Sequence, residues 1–233
     1  MNCSTAQNIN HQISHSTAKQ NNMAADALSA AMHWRYAVRR FSQQQVSAQD
    51  IHTLTEAVRM SPSAYGLQPY ELLVVSSSEL RGQLLAHSYG QDKIADCSHL
   101  MVFASYRDID ESLLDRYVAL AAEARGLHVD ELASYASQVR DALAALRTEQ
   151  RAASAINQAF LALGTLVASA ALLGIDCCPM SGFDAEGYDQ VLGLSQRGLT
   201  AAVICAVGYR HPEDGTAHYP RVRVPRHDWL REY

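Results

Sequence analysis

Two basic clusters carry the plainest chemistry in this chain. Arg35, Arg39 and Arg40 fall within six residues, and Arg221, Arg223 and Arg226 fall within another six. A guanidinium is a planar fork that donates two parallel hydrogen bonds, which suits the oxygens of a phosphate. Each cluster also reads as a solvated charged face, and periodicity does not bring the two together. The ten histidines are scattered, and His99 reads as a hydrogen-bonded core histidine beside a buried strand. The five cysteines, Cys3, Cys97, Cys177, Cys178 and Cys205, contain no C-x-x-C pair. They read as small buried thiols of a reducing cytosol, with no metal site among them. There is no G-x-G-x-x-G after a strand, no P-loop, no G-x-S-x-G elbow and no H-E-x-x-H. A net charge of −5 with 18% charged residues excludes a basic nucleic-acid footprint over the whole chain.

The elements that must position these residues follow from hydrophobic period and punctuation. With 233 residues and 48% hydrophobic content, the chain suits one large domain. Residues 1–22 read as a disordered polar leader, and 23–233 as the domain. The leader lacks a signal peptide's apolar core, and Ala159 to Gly174 is short for a membrane span, so a cytoplasmic protein is expected. Helices are expected over 24–36, from Ser47 as N-cap to Ser61 before Pro62, and over 78–87, 111–125, 132–146 and 152–173. The last is apolar nearly all round and reads as a central core helix capped by Gly174. Strands are expected at 71–75, 100–106 and 199–207. Adjacent Cys177 and Cys178 would face opposite sides of an extended segment. Strands separated by several consecutive helices argue for an α+β fold.

An ordered series of segments then resembles the oxygen-insensitive NAD(P)H nitroreductases and their flavin reductase relatives. WRYAVRRF is similar to that family's Arg-x-Ser-x-Lys-x-Phe opening. SPSAYGLQPYELLVV is similar to its Ser-Pro-Ser-Ser-x-Asn-x-Gln-Pro-Trp stretch and following strand. KIADCSHLMVF, GIDCCPMSGFD, GLTAAVICAVGYR and YPRVRVP resemble its later motifs in the same order. The resemblance covers roughly 23–233.

It implies a three-layer α-β-α sandwich in an intertwined homodimer, with non-covalent FMN at the interface and each C-terminal arm wrapping the partner. It also implies hydride transfer from NADH or NADPH to the flavin and on to an electron-poor acceptor, in ping-pong turnover at one shared site. By resemblance, Arg35, Arg221 and Arg223 would hold the FMN phosphate, and Tyr36, Ala37, Gly66 and Gly90 would adjoin the cofactor. Arg39 and Lys93 would lie near flavin N1 and O2 and beside the substrate, with Tyr65 as a further substrate contact. Ser63 would come from the partner and touch the ring, Ala64 would also adjoin the cofactor, and Gln158 would face it from the central helix. Pro179, Met180, Ser181 and Gly182 would lie along the ring, with the Ser181 N–H near N5. The chain departs from the family at Ala37 and Ala64 (serines), Gly66 and Gly90 (often Asn), Tyr70 (Trp) and Ser181 (often Glu). Other readings stay open: a quinone, free flavin, enone or pteridine as acceptor, or a non-enzymatic partner-binding module built on the Leu132–Leu146 stripe.

Overall fold

In the computed structural model, which describes residues 22–233, four strands form one antiparallel sheet. They are β1 (Tyr70–Val75), β2 (His99–Tyr106), β3 (Asp176–Met180) and β4 (Leu199–Gly208), in the order β1-β2-β4-β3. The two central strands are continuous apolar runs because both faces are covered. Leu100, Val102, Ala104, Ile204 and Ala206 point to one side. Met101, Phe103, Val203, Cys205 and Val207 point to the other.

Helices α3 (Ser78–Leu85), α4 (Lys93–Asp96) and α8 (Ala185–Leu192) cover the first face through Leu84, Ile94 and Tyr188. Helices α2 (Ala48–Arg59) and α7 (Thr148–Leu172) cover the second through Leu54, Ala162 and Leu166. The result is a three-layer α+β sandwich. Cys177 and Cys178 pack on opposite faces, as their adjacency in an extended segment requires. Helix α7 is long and apolar enough to cross a membrane. Here it lays one side on the sheet and leaves Phe160 and Leu161 nearly half exposed. Helices α5 (Glu111–Arg125) and α6 (Ala133–Ala144) form a satellite core around Leu114, Val118, Val139 and Leu143.

Local chemistry explains the boundaries. Ser47 Oγ accepts the Asp50 N–H at 3.0 Å and donates to its carboxylate at 2.7 Å, which starts α2. Gly174 adopts φ +68°, and the Ile175 N–H reaches back to the Ala170 carbonyl at 2.8 Å, which ends α7. Three expectations need correction. The first helix, α1 (22–34), stops two residues early, because the chain turns to place Ala37 against Cys177. Residues 129–132 form a 3-10 turn before α6, which itself ends at Ala144. Asp176–Met180 is a strand that periodicity alone did not indicate; Pro179 is tolerated because β3 is a sheet edge. Of the proposed leader, residues 1–21 lie outside the described residues, and residue 22 already belongs to α1.

Candidate functional site

The loop that follows α1 runs along the edge strand. Ala37 bridges to Cys177, and Phe41 bridges to Arg210. Between this loop, the segment leading into α4 and the end of β3 lies a cleft of about 630 Å³. Its lining includes Ala37, Arg39, Arg40, Gln91, Lys93, Cys178, Pro179 and Met180. Five residues that the resemblance assigned to the cofactor therefore meet here: Ala37, Arg39, Lys93, Pro179 and Met180. Lys93 leans toward β3: burial pushes the Cys178 thiol up, and the neighbouring Lys93 ammonium opposes that shift. Gly90 takes φ +72°, and Gln91 Nε2 donates to the Gly182 carbonyl at 2.8 Å. That bond ties the α4 approach to the exposed Ser181–Gly182 turn.

A buried carboxylate supports the loop from behind. Asp214 is 2% exposed. Its Oδ2 accepts from the Tyr36 hydroxyl at 3.1 Å, the Arg39 N–H at 2.9 Å and the Arg40 N–H at 3.3 Å. Its Oδ1 accepts from the Thr216 N–H at 3.1 Å and hydroxyl at 2.6 Å. Burial alone would raise its pKa, but these hydrogen bonds outweigh burial and hold it at about 2. Burial and the Asp214 charge push Tyr36 up to about 12.

The Tyr36 ring is flanked by two guanidinium groups, Arg210 at 4.7 Å and Arg221 at 4.8 Å. Arg210 is paired with Asp176 at 2.6 Å. Arg221 donates to the carbonyls of Trp34, Arg35 and Tyr219 at 3.1, 3.0 and 2.6 Å. Arg221 of the second arginine cluster thus reaches the first cluster at the end of α1. Arg35 lies close enough to Cys177 to help lower its thiol pKa, behind the larger effect of hydrogen bonding with Cys205. Arg35 also keeps a buried Nε with no hydrogen-bond partner. Arg223 is exposed and, among the described residues, bonds only to the Val222 carbonyl, at 2.7 Å.

The remaining expected residues form a second group outside this cleft. Ala64, Tyr65 and Gln158 line a small separate cavity. Gln158 Oε1 accepts the Ala64 N–H at 2.9 Å, Ser63 Oγ accepts the Gln68 N–H at 3.0 Å, and Tyr135 donates to the Tyr65 carbonyl at 2.7 Å. Tyr65 and Gly66 both have positive φ, at +55° and +74°. Gly66 and Gly90, where the resembled family often has Asn, are both left-handed, a conformation that Gly and Asn share. Sequence reasoning missed Asp214, Arg210 and Gln91. Asp214 precedes Gly215 and signalled only a turn.

Comparison with known proteins agrees with this architecture. The family model described as the nitroreductase family matches residues 32–209. A Staphylococcus aureus protein assigned as an NAD(P)H nitroreductase is 31% identical over 194 residues, 78% of this chain and 86% of its own. The oxygen-insensitive NAD(P)H nitroreductase of Salmonella typhimurium is 26% identical over 221 residues, 89% of this chain and 99% of its own. A protein of Exiguobacterium sibiricum, assigned as a nitroreductase and solved in complex with FMN, superposes with a TM-score of 0.75 at 18% identity, covering 88% of this chain and 97% of its own. The chain belongs to the nitroreductase family and is an oxidoreductase.

Proposed function

We propose that this protein is an FMN-dependent NAD(P)H oxidoreductase that reduces electron-poor acceptors such as nitroaromatics or quinones. The observation that carries the reading is the convergence of Arg39 and Lys93 on the cleft beside Pro179 and Met180. Neither cation forms a salt bridge among the described residues, although Asp92 and Asp96 also line the cleft. The donor set fits a phosphorylated flavin: Arg39, Arg40 and Lys93 line the cleft, and Arg35, near Cys177 of the adjoining strand, keeps a buried Nε without a partner. When bound, FMN would supply the redox chemistry, accepting hydride from NADH or NADPH and passing electrons to the acceptor.

The chain's own residues bind and orient. Arg35, Arg221 and Arg223 would hold the phosphate; Arg221 keeps unused N–H groups after its three carbonyl contacts. Arg39 and Lys93 would place positive charge near the negative charge of the reduced ring and so favour reduction. Pro179, Met180 and Gly182 would offer a surface along the ring, the Ser181 N–H would donate to it, and Tyr36, Ala37 and Gly90 would shape the surround. No side chain needs to act as acid or base. Ser63, Ala64, Tyr65, Gly66 and Gln158 would complete the site from the partner subunit of a homodimer, with Tyr65 beside the substrate. The tail would wrap the partner, which accords with Val222, Val224 and Trp229 being 85, 63 and 73% exposed. The reading treats residues 23–233 as one FMN-binding domain acting in the cytoplasm. Steady-state kinetics with both nicotinamides test it: double-reciprocal plots should be parallel, and intersecting lines with a trapped ternary complex count against a shared site.

A further inference from the structure

We propose that Asp214 is a positioning residue for the flavin cleft, fixing the loop that presents Arg39. The inference rests on the flavin reading above and adds a residue to it.

Five hydrogen bonds converge on Asp214, and all five partners are donors. Three of them belong to the loop: the Tyr36 hydroxyl and the N–H groups of Arg39 and Arg40. Two successive backbone N–H groups aimed at one carboxylate oxygen fix the direction in which both side chains leave the chain. That direction is toward the cleft, which Arg39 and Arg40 both line. Arg39 itself makes no side-chain hydrogen bond among the described residues, and Arg40 has only Glu213 at 3.4 Å, with both side chains more than half exposed. What aims Arg39 is therefore its backbone, and the backbone is held by Asp214. The carboxylate stays ionised at any working pH, so the clamp does not switch off.

Tyr36 extends the clamp. Its hydroxyl is spent on Asp214, and its ring is held between Arg210 and Arg221. Asp214 lies just beyond β4, at the root of the C-terminal arm. The carboxylate therefore joins the base of the arm to the loop that carries the ring-facing cation.

An asparagine is nearly isosteric but offers one acceptor oxygen and an NH2 group. In either orientation that NH2 faces donors, so Asp214→Asn keeps the shape and breaks part of the clamp. Asp214→Asn, Tyr36→Phe, Arg39→Ala and the double variant Asp214→Asn/Arg39→Ala are compared with the wild type by thermal melting, FMN affinity from fluorescence and the midpoint potential of bound FMN. Asp214→Asn should fold, bind FMN about tenfold more weakly and shift the potential, with Tyr36→Phe weaker in the same direction. In the Arg39→Ala background, Asp214→Asn should change the potential little, because the charge it positions is gone. The proposal is overturned if Asp214→Asn only lowers the melting temperature, or if it shifts the potential equally with and without Arg39. A wild-type protein that takes up no FMN overturns the flavin reading and this inference together; normal FMN binding by both wild type and Asp214→Asn, with the same midpoint potential in both, overturns this inference alone.

Discussion

At the scale of single residues, the cations around the cleft divide by what they feel. A phosphate stays anionic whether the ring is oxidised or reduced, so Arg35 and Arg223 would bind both states about equally. Replacing either with alanine should weaken FMN by about 1.5–3 kcal/mol, the scale of a charged hydrogen bond, and leave the potential nearly fixed. Under the proposed flavin reading, Arg39 and Lys93, which line the cleft, would face the ring, which gains negative charge only on reduction. Arg39→Ala or Lys93→Ala should lower the bound potential, by about 30 mV for each 1.4 kcal/mol of preference lost. Dye equilibration checks this; a potential shift in Arg223→Ala without one in Arg39→Ala would reverse the roles. Asp214 also carries a pH signature. Its carboxyl lies at about 2 in the folded protein against an ordinary 3.8. A depressed folded value means that the unfolded chain binds the proton more readily, so the stabilisation is full above about pH 4 and is lost as pH falls toward 2. The melting-temperature gap between wild type and Asp214→Asn should therefore narrow over that window, and a gap constant down to pH 2 would show that the charge contributes nothing.

At the scale of elements, the left-handed Gly66 and Gly90 make a matched pair. A Cβ on Gly66 would meet the Tyr117 ring at 2.6 Å, whereas one on Gly90 would meet open space. Gly66→Ala should cost about 1–3 kcal/mol from backbone strain plus that collision, and Gly90→Ala should cost less. Denaturant melts decide it; equal costs would remove Tyr117 from the account. The elements legible in the sequence were those with a strong period of their own. The continuous apolar runs of β2 and β4 and the apolar stripes of α2 and α6 follow from local pattern. Strand β3 was not legible as a strand, because DCCPM is short, mixes Asp and Pro with apolar residues, and becomes extended by pairing with β4. The cleft was legible only through motif resemblance, which named Arg39, Lys93 and Pro179. Asp214 left no periodic trace because its bond to Tyr36 spans 178 residues. The end of α1 was misplaced for a similar reason: the bridge from Ala37 to Cys177 is a tertiary contact.

At the scale of the whole molecule, Ala37, Arg39, Lys93, Pro179 and Met180 line the cleft, whereas Ala64, Tyr65 and Gln158 line a separate small cavity. A two-fold homodimer would let one subunit's Ser63–Gly66 loop meet the other's cleft. The same assembly would cover apolar side chains that the single chain leaves out: Phe160, Leu161 and Leu172 of α7 at 43, 47 and 52% exposure, and Trp229 of the tail at 73%. Sedimentation at micromolar concentration should give a dimer, and a stable monomer that retains FMN would contradict this arrangement. The central claim is that the cleft holds a flavin that exchanges electrons with a nicotinamide and then with an acceptor. It is tested most directly by anaerobic stopped-flow absorbance on the FMN-loaded protein. The account predicts that NADH or NADPH bleaches the flavin bands in one step, and that a nitroaromatic or quinone added afterwards restores them, with neither step slower than steady-state turnover. A protein that takes up no FMN, or one whose bound FMN stays oxidised with both nicotinamides, would contradict it.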